Sequence, residues 1–198
     1  MPSTAPPPRA LAHGIAGGLV LMAVFTAWWA SDSLYAGHRP AAVAFTALGA
    51  AAAVVFLVQA VRLVRAGRSM PRDLDAVDQE HRRRSGRTFG IVFAAEGLLI
   101  GVAAGVLNGT GHAEYVLPVI ALIVGLHFYP MAWVFQRRLD LWLATWVTLV
   151  GVAGVLVLAL SAASRDQVWA WVGVATALAT ASYGTYMVRY GNRLLRSV

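Results

Sequence analysis

The sequence predicts an all-α membrane protein, a bundle of six transmembrane helices with both termini in the cytoplasm. Hydrophobic residues make up 59% of the chain and charged residues only 13%, whereas soluble domains average about 25% charged residues. Six apolar segments are each long enough to cross a hydrocarbon core of about 30 Å, which takes about 20 helical residues. We therefore expect one membrane domain over residues 14–198, preceded by a disordered cytoplasmic lead over residues 1–13.

The apolar segments alternate with polar turns along the chain. The predicted spans are residues 14–30, 40–64, 89–107, 115–135, 141–160 and 168–188. Residues 65–88 are the longest polar stretch and form the predicted cytoplasmic loop. Acidic residues precede basic ones there, which is typical of a short solvated surface helix, and Gly86 can end that helix. Binding of anionic lipid headgroups is the alternative interpretation of this loop.

The placement of arginine predicts the orientation. The chain has 16 basic residues, all arginine, and fourteen of them fall in the lead, the 65–88 loop with the adjoining Arg62, the fourth-to-fifth turn and the tail. Cytoplasmic loops carry such an excess, so these segments and both termini are predicted to face the cytoplasm. The excess of arginine that gives an isoelectric point near 10.8 is then expected to face anionic membrane lipid. Nucleic acid is not an expected partner.

Two ionisable side chains lie deep in the predicted hydrocarbon, Glu96 in the third span and His127 in the fourth. Glu96 lies 8 residues beyond Thr88 and His127 lies 9 before Gln136, which places them about 12 and 13 Å from the same face. A short turn joins the two helices, so they pack antiparallel and the two side chains are level. A charge near the bilayer centre costs at least about 2.5–3.5 kcal/mol, which favours pairing. Glu96 and His127 are thus the predicted polar site.

Pro130 extends this predicted site. It cannot donate to the carbonyl of Leu126 and it crowds that carbonyl, so a polar acceptor is freed one residue from His127. A kink here, with Gly125 beside it, opens a small polar pocket flanked by Tyr129. A structural role, in which the pair only joins two helices, stays open beside the functional one.

The third span also carries Gly97, Gly101 and Gly105, spaced by four residues. Such spacing forms a smooth face that lets another backbone approach closely. We expect this face to pack against a helix, either within the chain or in a second subunit, so a homo-oligomer is one of the expected assemblies.

The composition excludes several chemistries. There is no cysteine, so disulfides and thiolate metal sites are excluded. The chain has no His-Glu-x-x-His or Gly-x-Ser-x-Gly motif, and His127 is the only histidine predicted at membrane depth, too few for haem or zinc. We therefore expect no catalytic residues, no metal and no cofactor, and we favour a protein that is not an enzyme.

Residues 125–132 read Gly-Leu-His-Phe-Tyr-Pro-Met-Ala, with Phe-Gly at 89–90 and Glu-Gly at 96–97. This pattern resembles an uncharacterised family of small bacterial multi-pass membrane proteins, in which a G-L-H-F-x-P-x-A helix follows a helix carrying a polar residue before glycine. The resemblance covers the third and fourth spans. It implies a bacterial plasma-membrane protein of several helices and implies no activity.

Three functional hypotheses follow. The first is a small transporter-like or sensor-like protein with a proton-responsive site at Glu96 and His127, acting on an unidentified small molecule or ion. The second is a non-catalytic membrane component that assembles through its glycine faces. The third, with the least support, is a membrane enzyme acting on a lipid or quinone.

Overall fold

The fold is entirely helical over the residues that the computed structural model describes, 8–37, 39–71 and 76–196. Two 3-10 segments, Asp32–Ala36 and Ala113–Tyr115, precede α2 and α4. The six α-helices are α1 (Arg9–Ser31), α2 (Pro40–Ala66), α3 (Ala76–Gly109), α4 (Val116–Phe135), α5 (Arg138–Ala159) and α6 (Arg165–Leu195). The prediction of an all-α chain with six helices is confirmed.

The first helix begins before the predicted start of the first span. α1 starts at Arg9 rather than Gly14, directly after Pro8, which is extended. Ala12 is fully buried, and the Arg9 amide donates to the carbonyl of Pro71 at 2.9 Å. Residues 9–13 of the predicted disordered lead are therefore helical and packed, whereas residues 1–7 of that lead lie outside the described residues.

Helix α3 is longer than the third predicted span. It runs without a break from Ala76 through Gly86 to Gly109, over 34 residues or about 51 Å. The expectation that Gly86 ends a separate surface helix is wrong. A glycine inside a helix costs only about 1 kcal/mol relative to alanine. The helix continues because a membrane span needs every backbone hydrogen bond.

Within the described residues, five helical segments are long and apolar enough to cross a membrane. They are Arg9–Ala36, Pro40–Ala66, Arg83–Gly109, Ala113–Phe135 and Arg138–Ala159. This confirms a multi-pass helical membrane protein at the level of composition. Helix α6, which contains the predicted span 168–188, is not among the five, so the sixth span and the N-in/C-in orientation stay predictions.

Helix α6 is the central helix of the bundle. It contacts α1, α2, α4 and α5, and it contains more buried residues than any other described helix. Its glycines allow close approach: Gly184 lies against the ring of Phe56, and Gly173 against Asp32. A helix covered by protein needs no apolar surface toward lipid, which explains why α6 is the least apolar of the predicted spans.

Helices α4 and α5 pack at glycine. A Cβ added at Gly125 would collide with the backbone of Thr148, and one added at Gly151 would collide with that of Leu122. Gly154 lies against Pro118 in the same interface. The glycines of α4 and α5 therefore bring these two backbones close together, whereas nothing in the described residues lies against the glycines of α3.

Helix α3 lies at the edge of the bundle and packs mainly along α4. Its partly covered residues recur every three or four positions, as expected for one helix face. Among the described side chains of α3, Glu96 is the only buried one. Glu96 is therefore the point at which the described part of α3 is most deeply buried against the bundle.

Alanine substitutions at the glycines of the α4–α5 interface and at the glycines of α3 should change the free energy of unfolding in opposite directions. Gly151→Ala should lower the free energy of unfolding by about 1–3 kcal/mol, because a Cβ must displace the α4 backbone. Gly101→Ala, where nothing lies within 4 Å, should leave it unchanged or raise it by up to about 1 kcal/mol through helix propensity. Equal thermal or denaturant unfolding of the two variants in bilayer discs would contradict this packing.

Candidate functional site

The predicted pair is in contact. Oε1 of Glu96 lies 3.1 Å from Nδ1 of His127, and the two side chains are 5% and 14% exposed. Glu96 belongs to α3 and His127 to α4, and the short connection between these helices makes them antiparallel neighbours. Glu96 and His127, which the sequence places at equal depths in the membrane, are thus in direct contact in the structure.

The contact between Glu96 and His127 is an electrostatic interaction rather than a well-aligned hydrogen bond. The separation is that of a hydrogen bond, yet Nδ1 of His127 has no partner of hydrogen-bonding geometry. The His127 ring lies 4.3 Å, centroid to centroid, from that of Phe128. In the described part of the chain neither Glu96 nor His127 forms a second ion pair. Each group therefore depends on the other for its counter-charge.

The chemistry open to this pair is proton exchange. A carboxylate and an imidazolium neutralise one another, and so do a carboxylic acid and a neutral imidazole, so the pair holds one proton without net charge. A second proton leaves a net positive charge, and loss of the proton leaves a net negative one. Either charge is costly at membrane depth.

The other two predicted site residues, Tyr129 and Pro130, do not contact the Glu96–His127 pair through polar groups. The hydroxyl of Tyr129 lies 3.2 Å from Oγ1 of Thr145, so this polar group is directed at α5 and not at the Glu96–His127 pair. Pro130 lies inside α4, which continues to Phe135, and Pro130 is exposed. The structure brings Glu96 and His127 together and joins Tyr129 to the neighbouring helix.

The predicted packing glycines of α3 have no partner within the described chain. Nothing lies within 4 Å of a Cβ added at Gly97, Gly101 or Gly105. The expected packing of this face against a helix of the same chain is therefore not seen in the described residues, and packing against a second subunit stays a prediction.

Two buried carboxyl groups were missed by the sequence reasoning. Asp140 is 1% exposed and Asp32 is 6% exposed, although both fall in segments predicted as turns. Asp140 lies in the first turn of α5, and Asp32 begins the 3-10 segment after α1. An acidic residue in the first turn of a helix, favoured by the helix dipole, was the available signal for Asp140. Burial by α6 is a tertiary effect that no local pattern indicates.

Metal-ligating side chains do not cluster in the described ranges. No three His, Asp or Glu side chains there come together in an arrangement that could hold a metal ion. The Glu96–His127 pair supplies only two such groups, and structural zinc sites use four protein ligands.

Comparisons with known proteins identify no family for this chain. No protein-family model, no curated protein and no solved structure matches it. The resemblance of residues 125–132 to a bacterial membrane family stays a prediction. What stands is a multi-pass helical membrane protein with a buried Glu96–His127 pair.

Proposed function

We propose that this chain is a proton-responsive, sensor-like protein of a bacterial plasma membrane, with both termini in the cytoplasm and six spans including α6. The proposal is supported by the buried contact between Glu96 and His127. Ionisable residues within membrane helices are rare and mark proton relays or ligand sites by default.

One observation carries the proposal: Glu96 is the only buried residue among the described side chains of α3. A soluble helix usually buries an apolar stripe. This helix leaves its apolar residues exposed or only partly covered, and the one buried side chain described in it is the carboxyl group against His127. The attachment of α3 to α4 therefore depends on the charge of the pair.

The charge states give the expected response. With one proton on the pair the net charge is zero, and α3 stays docked on α4. Adding a proton or removing the last one leaves a charge whose burial costs about 2.5–3.5 kcal/mol or more. Separation of the helices lets water or headgroups reach that charge, so docking is strongest at intermediate pH.

The continuity of α3 favours a sensor over a transporter. The helix extends without a break from the pair to Glu80, Arg83 and Arg84, which are joined by ion pairs at its other end. A rigid helix carries a displacement at Glu96 to this charged end. In a transporter-like role, the same Glu96–His127 pair would act as a gate that opens and closes the contact between α3 and α4.

The proposal predicts distinct pH profiles for the two halves of the pair. Spin labels at Leu98 of α3 and Leu149 of α5, both exposed to lipid, report the distance between the helices in bilayer discs. The native pair should give separation at acid and alkaline pH. Glu96→Gln should remove only the alkaline separation, because a neutral histidine beside glutamine carries no charge. His127→Gln should leave the helices docked only in acid.

Glu80→Gln is the matched control, since it removes an exposed carboxylate from the same helix. It should retain the native profile. A profile that is flat in the native protein, or identical in all three variants, would exclude a proton-responsive contact and leave the pair as structural.

A second candidate function is assembly through the glycine face of α3. The specific observation is that Gly97, Gly101 and Gly105 have open space around them at the four-residue spacing that membrane helix pairs use. A second copy of α3 fits such a face. In this alternative the Glu96–His127 pair only holds α3 in place for assembly.

If the chain assembles through the glycine face of α3, a large side chain on that face should abolish the oligomer. Gly101→Leu should convert an oligomer to monomer by native mass spectrometry from bilayer discs, because the side chain keeps the two backbones apart. Ala95→Leu is the control: Ala95 is also exposed but lies about 120° around the helix, so the oligomer should persist. A native protein that is monomeric throughout would refute assembly.

A further inference from the structure

A second polar site lies where α4 passes into α5, away from the Glu96–His127 pair. It is a cavity of about 180 Å³ between α1, the α4–α5 connection and α6. The lining residues are Ile15, Arg137, Tyr186, Met187 and Tyr190. The sequence assigned no role to any of them, and the cavity does not depend on the proposed function.

The connection between α4 and α5 gives Arg137 its position. Gln136 adopts a left-handed conformation with φ 51°, which ends α4, and Arg137 follows with extended backbone as the residue before α5. Its guanidinium lies 5.4 Å from the ring centroid of Phe135, and its Nη1 donates to the Tyr183 hydroxyl at 3.4 Å. The side chain is thereby directed toward α6.

Arg137 has donors left for a ligand. A guanidinium carries five N–H groups, and one of them is used by Tyr183. Among the described residues no carboxylate forms an ion pair with Arg137. A half-buried arginine at the wall of a cavity, without a paired carboxylate, favours an anionic ligand with oxygen acceptors.

Asp140 lies behind this arginine. It is 1% exposed, and the Tyr183 hydroxyl of α6 is its polar neighbour. It acts electrostatically on Tyr183 and is itself influenced by Arg137. Among the described ion pairs none joins Asp140 to Arg137, so Asp140 leaves the guanidinium donors free for an anion.

The walls of the cavity fit a lipid phosphate. Tyr186 and Tyr190 are 42% and 40% exposed and add phenol groups beside Arg137, whereas Ile15 and Met187 give an apolar side. The volume is below the roughly 300–1,000 Å³ of pockets that enclose whole small molecules. A single phosphate group with part of a glycerol backbone matches this size and this mixed lining.

The surrounding charge points to the same ligand. Arg189 and Arg193 lie at the end of α6 beyond Tyr186. The distribution of arginine predicts that this end faces the cytoplasmic leaflet, whose anionic lipids attract basic segments. We propose that this cavity binds the phosphate of an anionic phospholipid, with Arg137 as the principal ligand.

Adjacent arginines provide the test. Native protein, Arg137→Gln and Arg138→Gln are reconstituted in discs that contain phosphatidylglycerol and phosphatidylcholine, and retained lipid is counted by native mass spectrometry. The native protein should retain phosphatidylglycerol selectively. Arg137→Gln should lose about tenfold or more in affinity, because hydrogen bonds to charged groups are strong. Arg138→Gln removes the same charge from an exposed side chain and should stay near native.

Equal losses in the two variants would overturn the proposal, because general surface charge would then explain retention. If Arg137→Gln does not fold, Arg137→Lys keeps the charge but loses the planar fork and should retain less lipid than native protein. Retention equal to native would also count against the site. Titration with inorganic phosphate in neutral detergent distinguishes the source: binding of phosphate alone that depends on Arg137 would overturn a lipid ligand in favour of free phosphate.

Discussion

An ionisable group inside hydrocarbon must find an opposite charge or reach water, and the arrangement of α3 follows from this constraint. Glu96 has one ion-pair partner in the described structure, His127 at 3.1 Å. Because Glu96 is also the only buried position among the described side chains of α3, the same contact both neutralises the carboxyl group and holds the helix. The structural role and the proposed responsive role would therefore both depend on this one interaction.

The same constraint explains the distribution of polarity in the bundle. Of the five helical segments apolar enough to span a membrane, those of α1, α2, α4 and α5 contact α6, whose own surface is richer in small and hydroxyl residues. Buried polar groups lie against this central helix: the Thr26 hydroxyl donates to Thr180 at 3.0 Å, and Asp32 contacts Gly173. Polar side chains that would be costly in lipid are placed where protein covers them.

The sequence predicted what depends on length and depth. Helix count and the Glu96–His127 contact follow from hydropathy and from the rise of about 1.5 Å per residue. What it could not predict depends on helix rotation and tertiary cover. The glycines of α3 and those at 125 and 151 look alike as small residues, yet only the latter pack within the chain. Asp140 follows two arginines and so suggested a polar turn, although α6 buries it.

The central claim is that Glu96 and His127 are energetically coupled across the α3–α4 contact. A double-mutant cycle with Glu96→Ala, His127→Ala and both together, followed by reversible unfolding in bilayer discs, measures that coupling directly. The account predicts a coupling free energy of about 1 kcal/mol or more, with the double variant less destabilised than the sum of the single variants. Additive effects within about 0.5 kcal/mol would contradict it, because the two groups would then act independently.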